Sequence, residues 1–147
     1  NKELFDLNET LRNVLHLHAA NDKLEIVSQL LPHPMMVDAD KTHINRLFTN
    51  LVLNGIQSVP DDRPIRIEVK QSLEDGFVLT KITDNGHGID EDIQSKIFAP
   101  NFTTKTSGTG LGLAMCKRIV EQAEGTIWFE TVQGDGTSFF VKLPLAD

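Results

Sequence analysis

Hydrophobic positions along this chain recur in two rhythms. In KTHINRLFTNLVLNGIQSV (41–59), Ile44, Leu47, Phe48, Leu51 and Val59 fall on one face at 100° per residue. That spacing predicts an amphipathic helix, with Asp40 as its N-cap and Pro60 marking its end. Residues 8–20 repeat the rhythm through Leu11, Val14, Leu15 and His18, with Asn8 as candidate cap. A third helix is expected from about Gly110 to Ala123. Elsewhere the period is two. IRIEVK (65–70) and FVLTKITD (77–84) flank the turn EDG (74–76), and GTIWFETV (125–132) and GTSFFVKLP (136–144) flank QGDG, so two hairpins are predicted. LEIVSQLL (24–31) and MMVDA (35–39), separated by the Pro32–Pro34 region, are two further strand candidates. Between Asn85 and Thr109 neither rhythm holds; only DEDIQSKIF within it suits a short helix. A loop of that length in a small domain is usually functional or mobile.

The order predicts an α+β fold: a two-layer sandwich with three helices on one face of a mixed sheet of about five main strands. A length of 147 residues fits a single domain, 1–147. The hydrophobic fraction of 39% is ordinary for a folded domain, and no apolar stretch is long enough to span a bilayer. No basic-then-apolar leader suggests export of this segment, the start Asn-Lys reads as part of something longer, and the expected location is the cytoplasm. A net charge of −7 argues against a nucleic-acid binder, which needs a basic face. The one cysteine, Cys116, excludes an intrachain disulfide and, within a helical run, is expected to be a buried thiol.

Candidate chemistry begins on the long helix. Opposite its apolar face lie His43, Arg46, Asn50, Asn54 and Gln57. A polar stripe is ordinarily a solvated face, but such faces favour Lys and Glu. Two asparagines at i and i+4 give up helix propensity, and amide oxygens suit a hard cation such as Mg²⁺. Strand 77–84 has Val78, Thr80, Ile82 and Asp84 on one face, which puts Asp84 at the buried end of a strand just before NGHG. It is either a turn-forming Asp or an acceptor for a ligand amine, with Gly86 and Gly88 allowing close approach and Ile89 packing on the ligand. GTGLGLA is neither a Walker A loop nor a Rossmann fingerprint. Its glycines still open a helix, whose free N–H groups suit an anion, and Thr103, Thr104, Lys105, Thr106 and Thr109 add donors. Gly134 and Gly136 read as turn residues. Trp128 and Phe140 fall on the sheet face opposite Ile127, Phe129, Phe139 and Val141 and are expected to be partly exposed. The five histidines show no metal-binding spacing.

Taken in order, NLVLNGIQS, DNGHGI, IFAPNFTTK, GTGLGL and GDGT resemble the N, G1, F, G2 and G3 boxes of the ATP-binding catalytic domain of sensor histidine kinases. That domain belongs to a superfamily shared with gyrase and Hsp90, and the style is closest to the nitrogen-regulation branch. The resemblance spans nearly the whole chain and implies the Bergerat α/β sandwich, binding ATP with Mg²⁺. By the same resemblance Asn54 would be the metal ligand, with Asn50 beside it near the phosphates. Asp84 would accept the adenine amino group, Gly86, Gly88 and Ile89 would line the base, and Thr137 would support it. Asp92 to Ser107 would form a mobile lid anchored by Phe98 and Phe102. Thr104, Lys105, Gly108, Thr109, Gly110, Leu111, Gly112 and Leu113 would surround the phosphates, and Lys105 would act in catalysis with Asn50 and Asn54.

Three positions depart from the pattern. Gln57 stands where many relatives carry Lys or Arg, Gly55 where Ala is usual, and Asn101 where Phe is common. Asn50 stands where gyrase-like ATPases carry a water-activating Glu, and an amide is no general base. The resemblance therefore implies phosphoryl transfer to a histidine. None of the five histidines has the acidic and proline context of the family's acceptor, so that histidine is expected upstream, on a dimerisation domain. The implied partners are that domain, a response-regulator receiver and a second copy of the full-length kinase, with no nucleic acid and no membrane contact here; the parent is free to be membrane-anchored. Rival readings are an ATP-hydrolysing clamp, a serine kinase of the same superfamily, and a degenerate module that binds without chemistry.

Overall fold

The computed structural model describes residues 1–100 and 111–146. Among the described residues the seven strands are β1 (Glu3–Asp6), β2 (Leu24–Gln29), β3 (Met36–Ala39), β4 (Ile65–Glu74), β5 (Phe77–Asp84), β6 (Thr126–Val132) and β7 (Gly136–Pro144), and the three α-helices are α1 (Leu7–His18), α2 (Lys41–Ser58) and α3 (Leu111–Gln122). A short 3-10 helix covers Glu91–Lys96, within the stretch expected to hold one.

Five strands form the main sheet in the order β2-β4-β5-β7-β6, while β1 and β3 pair separately. β2 runs parallel to β4 and every other pair is antiparallel, so the sheet is mixed, as predicted. α2 lies on β4 and β5, α3 on β6, and α1 and α3 flank α2. The apolar stripe of α2 (Ile44, Leu47, Phe48, Leu51) is buried against inward-facing Ile67, Val69, Val78, Ile82 and Val141. Each such side chain contributes roughly 1.5–3 kcal/mol on burial.

Two details at helix ends differ from expectation. Asp6 caps α1, not Asn8: its Oδ1 accepts from the Asn8 N–H at 3.0 Å and from the Met35 N–H at 2.9 Å. Asn8 lies within the helix, fully buried, and donates from Nδ2 to the Leu31 carbonyl while accepting from Gln71. Val59 is buried beyond the end of α2, in extended conformation ahead of Pro60. β1 has no counterpart in the sequence pattern; four residues with one inward apolar group, Phe5, are too few for alternation to register. β4 continues beyond 70 to Glu74, because its hydrogen bonding to β5 runs to the Asp75–Gly76 turn, where both residues are left-handed.

On the helix-free face Phe140 is only 8% exposed, against the expectation of partial exposure. Trp128, its cross-strand neighbour, stacks flat on it at 5.1 Å and 4° between planes, and the Lys81 ammonium covers its ring at 5.5 Å. Among the described residues no helix is long and apolar enough to cross a membrane.

Candidate functional site

Asp84 ends β5 on the face that meets the helices, where the alternation Val78, Thr80, Ile82, Asp84 places it. It is 7% exposed. Its Oδ1 accepts two backbone bonds, from Gly86 N–H at 2.8 Å and from Thr137 N–H at 3.2 Å. These donors come from different segments, the turn after β5 and the start of β7. Burial pushes the carboxyl pKa above its ordinary value, and the two amides offset part of that shift. Gly55 of α2 lies against this carboxylate; a methyl added there would stand 3.2 Å from Asp84 Cβ and 2.9 Å from Ile67 Cδ1.

The expected neighbours of Asp84 assemble around it. Ile89 N–H donates at 3.0 Å to Thr131 Oγ1, which lies 2.9 Å from Thr137 Oγ1, so hydroxyls link the segment after Asp84 to the last hairpin. The two glycines have a reason within the protein itself. A side chain on Gly86 would collide with Ser58 at the end of α2; Gly88 is left-handed at φ +81°, with the Val132 carbonyl 2.7 Å from where a methyl would sit. Further bonds fasten this segment down: His87 N–H to Ser58 O, Gly134 N–H to His87 O, and Gln133 Nε2 to Asp90 Oδ1.

The second part of the site is the polar side of α2. Asn50 packs against Gly112 at the start of α3, and its amide points to Cys116 Sγ at 3.9 Å. Cys116 is fully buried behind it, its pKa pushed up to about 12 by burial, so it is the inert core thiol expected. Asn54 lies one turn on. Its Nδ2 is buried and has no hydrogen-bond partner among the described residues, an unusual state for a buried polar atom. The protein leaves this amide with no fixed hydrogen-bonded orientation at Nδ2, and its oxygen is a donor type that suits a hard cation. Among the described residues no group of three or more His, Cys, Asp or Glu is gathered to hold a metal, so a cation here would lean on oxygens of its own ligand. Gln57 and Arg46 are exposed on the same helix.

The described part of the predicted lid is packed down. Ile97 is buried, and the Phe98 ring lies 6.0 Å from Phe129 and 6.3 Å from Phe139, with Lys117 of α3 above it at 5.9 Å. Leu113 is buried in the core, which leaves its backbone, not its side chain, for a ligand. Phe102, Thr104, Lys105, Gly108, Thr109 and Gly110 lie outside the described residues, and of Leu111 only the backbone, opening α3, is described. Thr131 does not stand out in the sequence pattern. Thr131 has a usable signal all the same: in the hairpin it pairs with Thr137 and shares inward parity with Ile127 and Phe129.

A sequence model of the histidine kinase-, DNA gyrase B- and HSP90-like ATPases matches residues 39–147. The signal transduction histidine-protein kinase AtoS of Escherichia coli (strain K12) is 37% identical over 123 residues, 84% of this chain and 20% of its own length. The catalytic domain of the histidine kinase ThkA, solved free of nucleotide, superposes with a TM-score of 0.87 at 31% identity, covering 99% of this chain and 96% of that one. The same kinase has been solved in complex with the response regulator protein TrrA, matching at 28% identity and TM-score 0.81 over 99% of this chain and 42% of that one. Full-length ShkA in complex with AMPPNP matches at 26% identity and TM-score 0.83, over 99% and 31% respectively. The chain spans about a fifth to just over a third of the length of the curated relatives it matches.

Proposed function

Because this chain belongs to the histidine kinase-, DNA gyrase B- and HSP90-like ATPases, in the form carried by sensor histidine kinases, we propose that it binds Mg-ATP and donates the γ-phosphoryl group to a histidine on the kinase's own upstream dimerisation domain. The observation that carries this reading is Asp84. A buried carboxylate, with one oxygen held by two backbone N–H groups, is a fixed acceptor for an exocyclic amine such as that of adenine. Thr137, whose N–H bonds Asp84, and Ile89, linked to Thr137 through Thr131, would be the base-side residues, together with Gly86 and Gly88.

Asn54 would hold Mg²⁺, with Asn50 beside it. When bound, the ion neutralises charge on the phosphate oxygens. The first-turn N–H groups of α3, at Gly112 and Leu113, supply phosphate donors. Lys105 with Thr104, Gly108, Thr109, Gly110 and Leu111 would complete the phosphate side, and Phe98 and Phe102 would anchor a lid over it. The protein's task is positioning and charge neutralisation, which is what phosphoryl transfer chiefly needs. Asn50 has an amide where hydrolysis needs a general base, so transfer is favoured over release to water. The parent works in the cytoplasm as a homodimer, with a response-regulator receiver as the final acceptor, in keeping with the ThkA–TrrA complex.

Calorimetric titration tests the site. The chain should bind ATP tightly only with Mg²⁺ present, and Asn54→Ala should remove that magnesium dependence. ATP binding that stays fully magnesium-dependent in the variant would overturn the metal assignment.

A further inference from the structure

We propose that Arg63, in the loop between α2 and β4, is a positioning residue that sets the geometry of Asp84. The inference rests on the reading of Asp84 as the adenine acceptor. One guanidinium nitrogen, Nη1, donates to two backbone carbonyls: Asn85 O at 3.2 Å and Gly134 O at 3.2 Å. Asn85 directly follows Asp84 and precedes Gly86. Gly134 tops the β6–β7 turn, shortly before Gly136 and Thr137. The two N–H groups that hold Asp84 Oδ1 belong to Gly86 and Thr137. Arg63 thus joins, through their carbonyls, the two separate segments whose amides fix the carboxylate.

The surrounding bonds support this geometry. Asp62 Oδ1 accepts from Arg63 Nε at 3.4 Å, steadying the guanidinium. The Asn85 side chain accepts from Arg66 N–H and donates to Pro64 O, both at 2.8 Å, so the Arg63 loop runs along the turn after β5. A side chain on Gly136 would collide with the Asp84 carbonyl, so the start of β7 lies close against the end of β5. The two segments are also tied by Gly134 N–H to His87 O at 2.8 Å. Losing Arg63 therefore loosens the frame without dismantling it.

The test compares Arg63→Met, which keeps the apolar stem and removes the donors, with Arg63→Lys, which keeps a charged donor. Calorimetry measures ATP against inosine triphosphate, whose 6-oxo group replaces the 6-amino group. The wild type should prefer ATP. Arg63→Met should narrow that preference by about fivefold, the scale of one charge-assisted hydrogen bond partly replaced by water, and Arg63→Lys should restore most of it. Equal weakening of both nucleotides, or an unchanged preference, overturns the inference. A wild type with no preference for ATP overturns the adenine reading instead. A second measurement is independent of nucleotide: amide hydrogen exchange at Gly86 and Thr137 in the free protein should speed up in Arg63→Met, and wild-type protection at both amides rejects the positioning role.

Discussion

Asp84 sets function against stability within one side chain. Replacing it with Asn keeps an oxygen for the Gly86 and Thr137 amides but can turn a donor toward the adenine amine. Affinity for ATP should fall by about 1–3 kcal/mol, read by calorimetry. The fold should respond in the opposite direction. Burial raises the folded-state pKa of Asp84 above its ordinary 3.8, so the folded chain holds this proton more tightly than the unfolded chain. Wild-type stability therefore falls as pH rises from the ordinary carboxylate value through the raised one. Asn cannot titrate. Asp84→Asn should gain stability over wild type across that window and keep the gain at neutral pH. Denaturant melts that show the same pH dependence in both proteins would refute the argument.

Among the elements, α1 and its flanks are held by a different carboxylate, remote in sequence from every residue around Asp84. Asp6 accepts from both the first turn of α1 and the Met35 amide. Asp6→Ala should cost about 1–2 kcal/mol and lower the melting temperature by roughly 2–8 °C, while leaving ATP affinity unchanged. A matching loss of affinity would show the two ends of the molecule to be coupled. Elements with strong internal rhythm are legible in the residues themselves: α2 by its apolar stripe, both hairpins by alternation, and Asp84 by parity alone. Legibility fails where a partner lies far along the chain. Strand β1 exists because Phe5 meets Val37, and no feature of ELFD announces that. Asp6 and Asn8 are both plausible caps locally, and only the buried bonds of Asn8 to Leu31 and Gln71 decide between them. Arg63 finds its acceptors 22 and 71 residues on, beyond the reach of any local pattern.

For the molecule as a whole, binding and transfer should come apart. With none of the five histidines in an acceptor context, radiolabelled ATP should leave this chain unlabelled on histidine, while a supplied upstream dimerisation domain should become labelled in its presence. Strong acid-labile labelling of the chain alone would contradict the proposal. The flat Trp128–Phe140 stack has a practical consequence for such measurements. This is the only tryptophan, and the chain has no tyrosine, so near-ultraviolet emission has a single origin. Trp128 sits on the helix-free face of the sheet, on the opposite parity from Phe129 and Thr131. Its fluorescence should stay silent when nucleotide is added and shift when the strands separate, which gives an optical melting signal that the ligand does not contaminate.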